Sequence, residues 1–262
     1  MRTGTAAGVP YVALPPATPR PDAPVVVAWH LLDAPRTPQA FAAALPLAGL
    51  DAWRLYLGLP MSGARMPAGG MEEVLALAAR DMTGLVHGRI AREALAEFPA
   101  AWAALRGELG LGGGPVALVG GSMGAMVAQL VAVSGVVAPR ALALLSPLIE
   151  LRVTLPFIAD VLGVELVESP GNEELLEQCD FVVRAAELAG VPRLVVAGDQ
   201  DAPFFLERIA AQRAALPDTR YEEIAGMGHA LADEPGLEAA PQTPHAVRVD
   251  ELVTGFLAPL LR

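Results

Sequence analysis

The chain has 262 residues, 53% hydrophobic but only 5% aromatic, so one large domain with a core of Ala, Val and Leu is expected over residues 1–262. The formal charge is −11 and all 18 basic residues are arginines with no basic cluster, a balance that repels polyphosphate and speaks against nucleic acid as a partner. A single cysteine, Cys179, excludes an intramolecular disulfide and a cysteine-rich metal site, and reads as a small buried hydrophobe. In chain order, Tyr11 to Leu14 is a short strand candidate, and Val25 to Trp29 is a continuous apolar run suited to a strand buried on both faces. A short helix is expected over Pro38 to Leu45 and a strand over Trp53 to Leu59. Glu72 and Glu73 open a helical region that is expected to break near His87–Gly88, resume at Ile90 and kink or restart at Pro99 before Leu109. Val116 to Val119 is the next strand, Ala125 to Val133 a helix, and Ala141 to Leu145 a further strand. Asn172 is placed as the N-cap of a helix whose apolar face is Leu175, Leu176, Cys179, Val183 and Ala186, with Gly190 as its C-cap. A strand at Leu194 to Ala197, a helix at Pro203 to Leu216, a last strand at Arg220 to Ile224 and a closing helix with Val249, Leu252, Val253, Phe256 and Leu260 inward complete the chain.

Strands alternating with helices predict an α/β architecture, a mostly parallel central sheet with helices on both faces. Residues 148 to 171 do not fit this alternation. Their apolar patch, with Leu155, Phe157, Ile158, Val161 and Leu162 between Pro156 and Pro170, is expected to form a small cap between two late strands. The uncharged stretch from Leu109 to Pro139 is long enough to span a bilayer, but its glycines, Pro115 and Gln129 fit a buried strand, turn and helix better. No apolar segment of signal-peptide length follows Arg2, where prolines interrupt the chain instead. A cytoplasmic protein that does not engage the membrane is expected. Oligomeric state is left open.

The segment Val116-Ala-Leu-Val-Gly120-Gly121-Ser122-Met123-Gly124 ends a strand in Gly-x-Ser-x-Gly. A serine hydroxyl exposed on a sharp strand-to-helix turn needs small residues on both sides, where other side chains would collide. With five serines and 26 glycines in the chain, chance gives about 0.05 such matches. Ser122 is therefore the candidate nucleophile, with the free N–H groups of the following helix as oxyanion donors. A dinucleotide-binding reading of the same glycines fails, because Gly-x-Gly-x-x-Gly would need glycine where Ser122 stands.

With a strand ending Gly198-Asp199-Gln200-Asp201 and a later Gly226-Met227-Gly228-His229 loop, the chain resembles the α/β-hydrolase superfamily of serine esterases and acyl hydrolases from about Val25 to its end. The resemblance implies Asp201 as the acid and His229 as the base. His229 would take the Ser122 proton and Asp201 would fix its tautomer, so activity should fall as pH drops through about 6–7. Asp199 and Glu150 are the competing acids. His245 and His87 are the competing bases, read as a capping and a helix-end residue. The resemblance also implies two oxyanion donors, Met123 N–H and Leu32 N–H, with Leu31 N–H the alternative for the second. Where the family carries His-Gly, this chain reads His30-Leu31. A left-handed leucine would be strained by about 1–2 kcal/mol, so a different loop shape is expected, with His30 as a structural hydrogen-bonder.

Leu31, Met61, Phe157 and Met227 are the expected pocket residues, and suggest an apolar acyl or alcohol site. No metal site and no cofactor is expected. The expected reaction is hydrolysis of a carboxylic ester of a small or medium apolar substrate through an acyl-enzyme. A thioesterase would need the same site. A non-hydrolytic ligand binder or a lyase on this fold are the further alternatives.

Overall fold

The computed structural model of the chain describes residues 1–167 and 169–262, with the side chain of residue 170 outside that description. Its elements in order are β1 (Arg2–Ala6), β2 (Val9–Leu14), β3 (Val25–Trp29), α1 (Pro38–Ala44), β4 (Trp53–Leu57), α2 (Gly70–Asp81), a π-helical turn (Met82–His87), α3 (Gly88–Leu109), β5 (Val116–Gly121), α4 (Met123–Val133), β6 (Pro139–Leu145), α5 (Leu151–Leu162), α6 (Glu173–Gln178), β7 (Arg193–Gly198), α7 (Pro203–Ala215), β8 (Arg220–Ile224) and α8 (Pro244–Leu257). The eight strands form one open sheet in the order β1-β2-β4-β3-β5-β6-β7-β8. The first three in that order run antiparallel, and β4 through β8 are parallel neighbours.

The apolar run of β3 shows why the sheet is covered on both sides. Val25, Val27 and Trp29 enter one core while Val26 and Ala28 enter the other. On the first face α3 presents Ile90, Ala94, Phe98, Ala101, Leu105 and Leu109, all buried and spaced as one helical stripe. Its Phe98 ring meets Trp29 of β3 at 5.4 Å. On the opposite face α8 buries Val249, Leu252, Val253 and Leu257. The chain leaves β3 toward β4 on one side and returns to β5 on the other. A crevice therefore opens at the carboxyl ends of β3 and β5, the switch point where ligands bind in open α/β sheets.

Several elements depart from expectation. Strand β1 was not anticipated, because Arg2 to Thr5 carry no apolar residue; it forms by pairing with β2 through a two-residue turn at Ala7 and Gly8, both with positive φ. The interruption in the long helical region falls at Asp81 (φ −169°, ψ 86°), where its carboxylate accepts the Gly84 N–H at 2.8 Å, and not at His87–Gly88. Helix α3 carries Pro99 inside a single run. The apolar patch at 155–162 is the outer half of helix α5.

The helix expected from Asn172 to Gly190 is broken. Asp180 Oδ1 accepts the N–H groups of Val182 and Val183 at 3.0 Å each, and Phe181 N–H donates to Ile149 O at 3.0 Å. This pulls the chain off the helix and onto the residues before α5. Asn172 does stand at the N-cap position of α6, but its side chain makes no capping bond; its Nδ2 donates to both Asp81 oxygens, at 2.9 and 3.1 Å. The stretch from Leu109 to Pro139 is the loop, β5 and α4, as its glycines imply, and among the described residues no helix is long and apolar enough to cross a membrane.

Candidate active site

Strand β5 runs into α4 through Ser122, which is held at φ 47°, ψ −115°, a conformation that L side chains rarely adopt. The turn closes because Gly120 and Gly124 lack side chains: a Cβ on Gly120 would press into the Gly124 carbonyl, and one on Gly124 into the carbonyls of Trp29 and His30. The first helical bonds run from Ala125 and Met126 N–H to Ser122 O, so the Met123 N–H precedes them at the helix start.

Ser122 Oγ lies 2.9 Å from His229 Nε2, and His229 Nδ1 lies 2.9 and 3.0 Å from the two oxygens of Asp201. The Asp201 side chain is fully buried, and its Oδ1 also accepts the Ala202 N–H at 2.7 Å. The carboxylate can only accept, so Nδ1 carries the proton and Nε2 offers its lone pair to the serine hydroxyl. The Phe205 ring stacks on the imidazole at 4.3 Å. Burial alone would lower the His229 pKa. The hydrogen bond and charge of Asp201, joined by the charge of Asp33, outweigh it and raise the group above its ordinary value. Asp33 Oδ2 stands 3.7 Å from Nε2 with its side chain half exposed.

The competing residues have other work. Asp199 Oδ1 accepts the Gly226 N–H at 2.7 Å and so ties the loop that carries His229 to the end of β7. Glu150 pairs with Arg208 at 3.2 Å. His245 begins α8, and His87 sits in the π-helical turn. His30 donates from Nδ1 to Leu31 O at 2.6 Å and accepts the Leu59 N–H on Nε2 at 3.1 Å. Burial lowers its pKa to about 4, so it is a neutral brace between the loops that follow β3 and β4.

A cavity of about 810 Å³ opens above Ser122, Met123 and His229. Its lining includes Met66, Val74, Leu75 and Ile90, together with Ile158, Val161 and Leu162 of α5. Of the expected pocket residues, Met61 lines it. Leu31 does not: it is fully buried in the opposite core, packed where a Gly121 Cβ would stand. Met227 is likewise buried in that core, and its carbonyl accepts the Gln200 N–H at 3.0 Å. Phe157 is 47% exposed and stacks on Phe204 at 4.8 Å, and it is Phe204 that faces the cavity. All three readings failed for one reason: nearness in sequence to a loop does not say which face a side chain takes.

Leu32 lines the cavity beside Ser122, and Leu31 is not among the residues with positive φ, so the His30-Leu31 loop avoids the strained conformation. Sequence reasoning missed Asp33, Arg36, His87, Phe204 and Phe205, all of which line the cavity. Phe204 and Phe205 could have been found from their position, three and four residues past Asp201 at the start of α7. Arg36 is engaged by Glu234 through two bonds at 2.7 and 2.8 Å. Among the described residues, no group of three or more His, Cys, Asp and Glu side chains is gathered as for a metal ion.

No family model matches the chain, and none of the curated proteins does. Solved structures do. A Thermus thermophilus protein, TT1662, is similar with a TM-score of 0.67 and 23% identity over 100% of this chain and 99% of its own. Est1E from Butyrivibrio proteoclasticus, solved with ferulic acid bound, is similar at 0.64 and 15% over 99% of each chain. Carboxyl esterase 2 from the mycorrhizal fungus Tuber melanosporum is similar at 0.62 and 15%, over 97% of this chain and 82% of its own.

Proposed function

The chain has the α/β-hydrolase fold, and on it we propose a serine hydrolase that cleaves a carboxylic ester of a small or medium, largely apolar substrate. The observation that carries the reading is the unbroken path from Ser122 Oγ to His229 Nε2 and from His229 Nδ1 to Asp201, set in the floor of an apolar cavity. The esterase from Tuber melanosporum shares this fold, which adds support.

In the proposed reaction Ser122 Oγ attacks the ester carbonyl as His229 Nε2 takes the hydroxyl proton. The Met123 and Leu32 N–H groups hold the developing oxyanion. Protonated His229, favoured by buried Asp201, then gives its proton to the departing alkoxide and leaves an acyl-enzyme on Ser122. Water enters and loses a proton to His229, and the second tetrahedral species collapses to release the acid and restore Ser122. No cofactor takes part. The partner is the small-molecule ester, and the protein works in the cytoplasm.

The test pairs para-nitrophenyl acetate with a fluorophosphonate probe. Turnover and labelling by the wild type, both lost in Ser122→Ala, are expected. Unchanged turnover by Ser122→Ala would contradict the proposal.

A further inference from the structure

His87 differs in chemistry from everything around it. It stands in the cavity wall with Val74, Leu75, Val86 and Ile90, in the same cavity as Ser122. The residue is 6% exposed, and its Nδ1 is sealed from solvent with no well-formed hydrogen bond, the Met82 carbonyl being the backbone acceptor near the ring. Buried polar side chains are ordinarily paired, and an unpaired one costs stability that leucine or phenylalanine would not. Burial drives His87 down to about 4, and the Met82 carbonyl opposes this only in part, so the ring is neutral at neutral pH. A neutral imidazole has one donor and one acceptor nitrogen.

The backbone that carries His87 is itself built with care. His87 closes the π-helical turn, a wide geometry that recurs at functional sites. Asp81 fixes that turn by accepting from Gly84 N–H at 2.8 Å and Asn172 Nδ2 at 2.9 Å, and Arg92 donates to Gly84 O at 3.0 Å. The fixed turn brings Val86 and His87 into the wall. A neutral ring offers no opposite charge to a carboxylate or an ammonium group. Nδ1 is closed to a ligand in the cavity, so a neutral hydroxyl there could pair only with Nε2, as donor or acceptor according to the ring's tautomer.

Resting on the hydrolase reading, we propose that His87 is a specificity-determining residue. Through Nε2 it hydrogen-bonds a neutral hydroxyl carried by the acyl or alcohol part of the ester. A site built for a hydroxyl discriminates against the analogue that lacks it, because the protein group is then left unpaired.

The experiment uses para-nitrophenyl esters of a graded series of straight-chain and phenylalkyl acids, each with and without a terminal hydroxyl. At one length the wild type should prefer the hydroxylated ester by about tenfold or more in kcat/KM. His87→Leu should reverse that preference and raise Tm by a few degrees, as removal of an unpaired buried polar group predicts. His87→Phe serves the same purpose should His87→Leu fail to fold. A flat ratio across the series, or a preference that survives His87→Leu, overturns the proposal. Failure of the hydrolase reading looks different: the wild type neither turns over para-nitrophenyl acetate nor takes the serine probe. In that event calorimetric binding of the matched methyl esters to Ser122→Ala, with and without His87→Leu, still decides the question. Tighter binding of the hydroxylated ester that depends on His87 supports the proposal, and equal binding overturns it.

Discussion

Two parts of the cavity lining are built on opposite terms. At the Ser122 end the polar groups are paired in sequence, serine to histidine to aspartate, and the loops beneath are tied by Asp199 to Gly226 and by Met227 to Gln200. Elsewhere the lining is largely methionine, valine, leucine and isoleucine, with His87 among them, its Nδ1 sealed from solvent. The first arrangement is complete without a ligand and fixes geometry for chemistry. The second offers a ligand apolar contact and, in the proposal above, His87 Nε2, which is how a pocket selects.

If the Ser122 end works as a unit, the largest effect belongs to Ser122→Ala. We expect kcat to fall by about 10⁴-fold or more while the fold is retained, measured by ester hydrolysis and circular dichroism. Next is the pair Asp201→Asn and Asp199→Asn. The first should lower kcat by about 10³- to 10⁴-fold, since His229 would lose the acceptor that fixes its tautomer. The second should change kcat by less than about tenfold and lower unfolding stability by no more than about 1 kcal/mol, because an amide oxygen can still accept the Gly226 N–H and only the charge is lost. Equal kinetic losses in the two would show that the acid has been assigned wrongly.

The cavity walls give a smaller effect. Phe204 links Phe157 of α5 to Phe205, which lies on His229. Phe204→Ala should lower kcat/KM for long-chain esters by about tenfold and spare acetate esters, since only the longer chain needs that wall. A uniform loss across chain lengths would mean that Phe204 serves His229 instead of the pocket.

The smallest effect is electrostatic. Neutral His229 is the active base, and its raised pKa places the acid limb of the pH–rate profile above the 6.5 of an unperturbed histidine. This sharpens the expectation of a fall through 6–7. Asp33→Asn removes one of the charges that favour the imidazolium, so the limb should move to lower pH. A shift to higher pH would remove Asp33 from the account.

The same contrast explains what the sequence made legible. The nucleophile turn is readable because the approach of backbone to backbone at Gly120 and Gly124 admits no side chain, and that constraint has a fixed spacing. The two-faced burial of β3 is readable from an uninterrupted apolar run. Asp201 and Asp199 were separable only by analogy until the Gly226 bond gave Asp199 its own role. The region after β6 was not readable. Leu175, Leu176, Cys179, Val183 and Ala186 have helical spacing, yet the Asp180 carboxylate captures two backbone N–H groups and ends the helix. His87 was read as a helix-end residue because its burial depends on a turn held by Asn172, 85 positions later, and no local pattern announces such a contact.

The most direct test of the central claim is to trap the intermediate. Wild-type protein mixed with para-nitrophenyl acetate and quenched in acid should give one acetyl group per chain, mapped by peptide mass spectrometry to the peptide that contains Ser122, and none in Ser122→Ala. Ester turnover with Ser122 unmodified, or with the acetyl group on another residue, would contradict it.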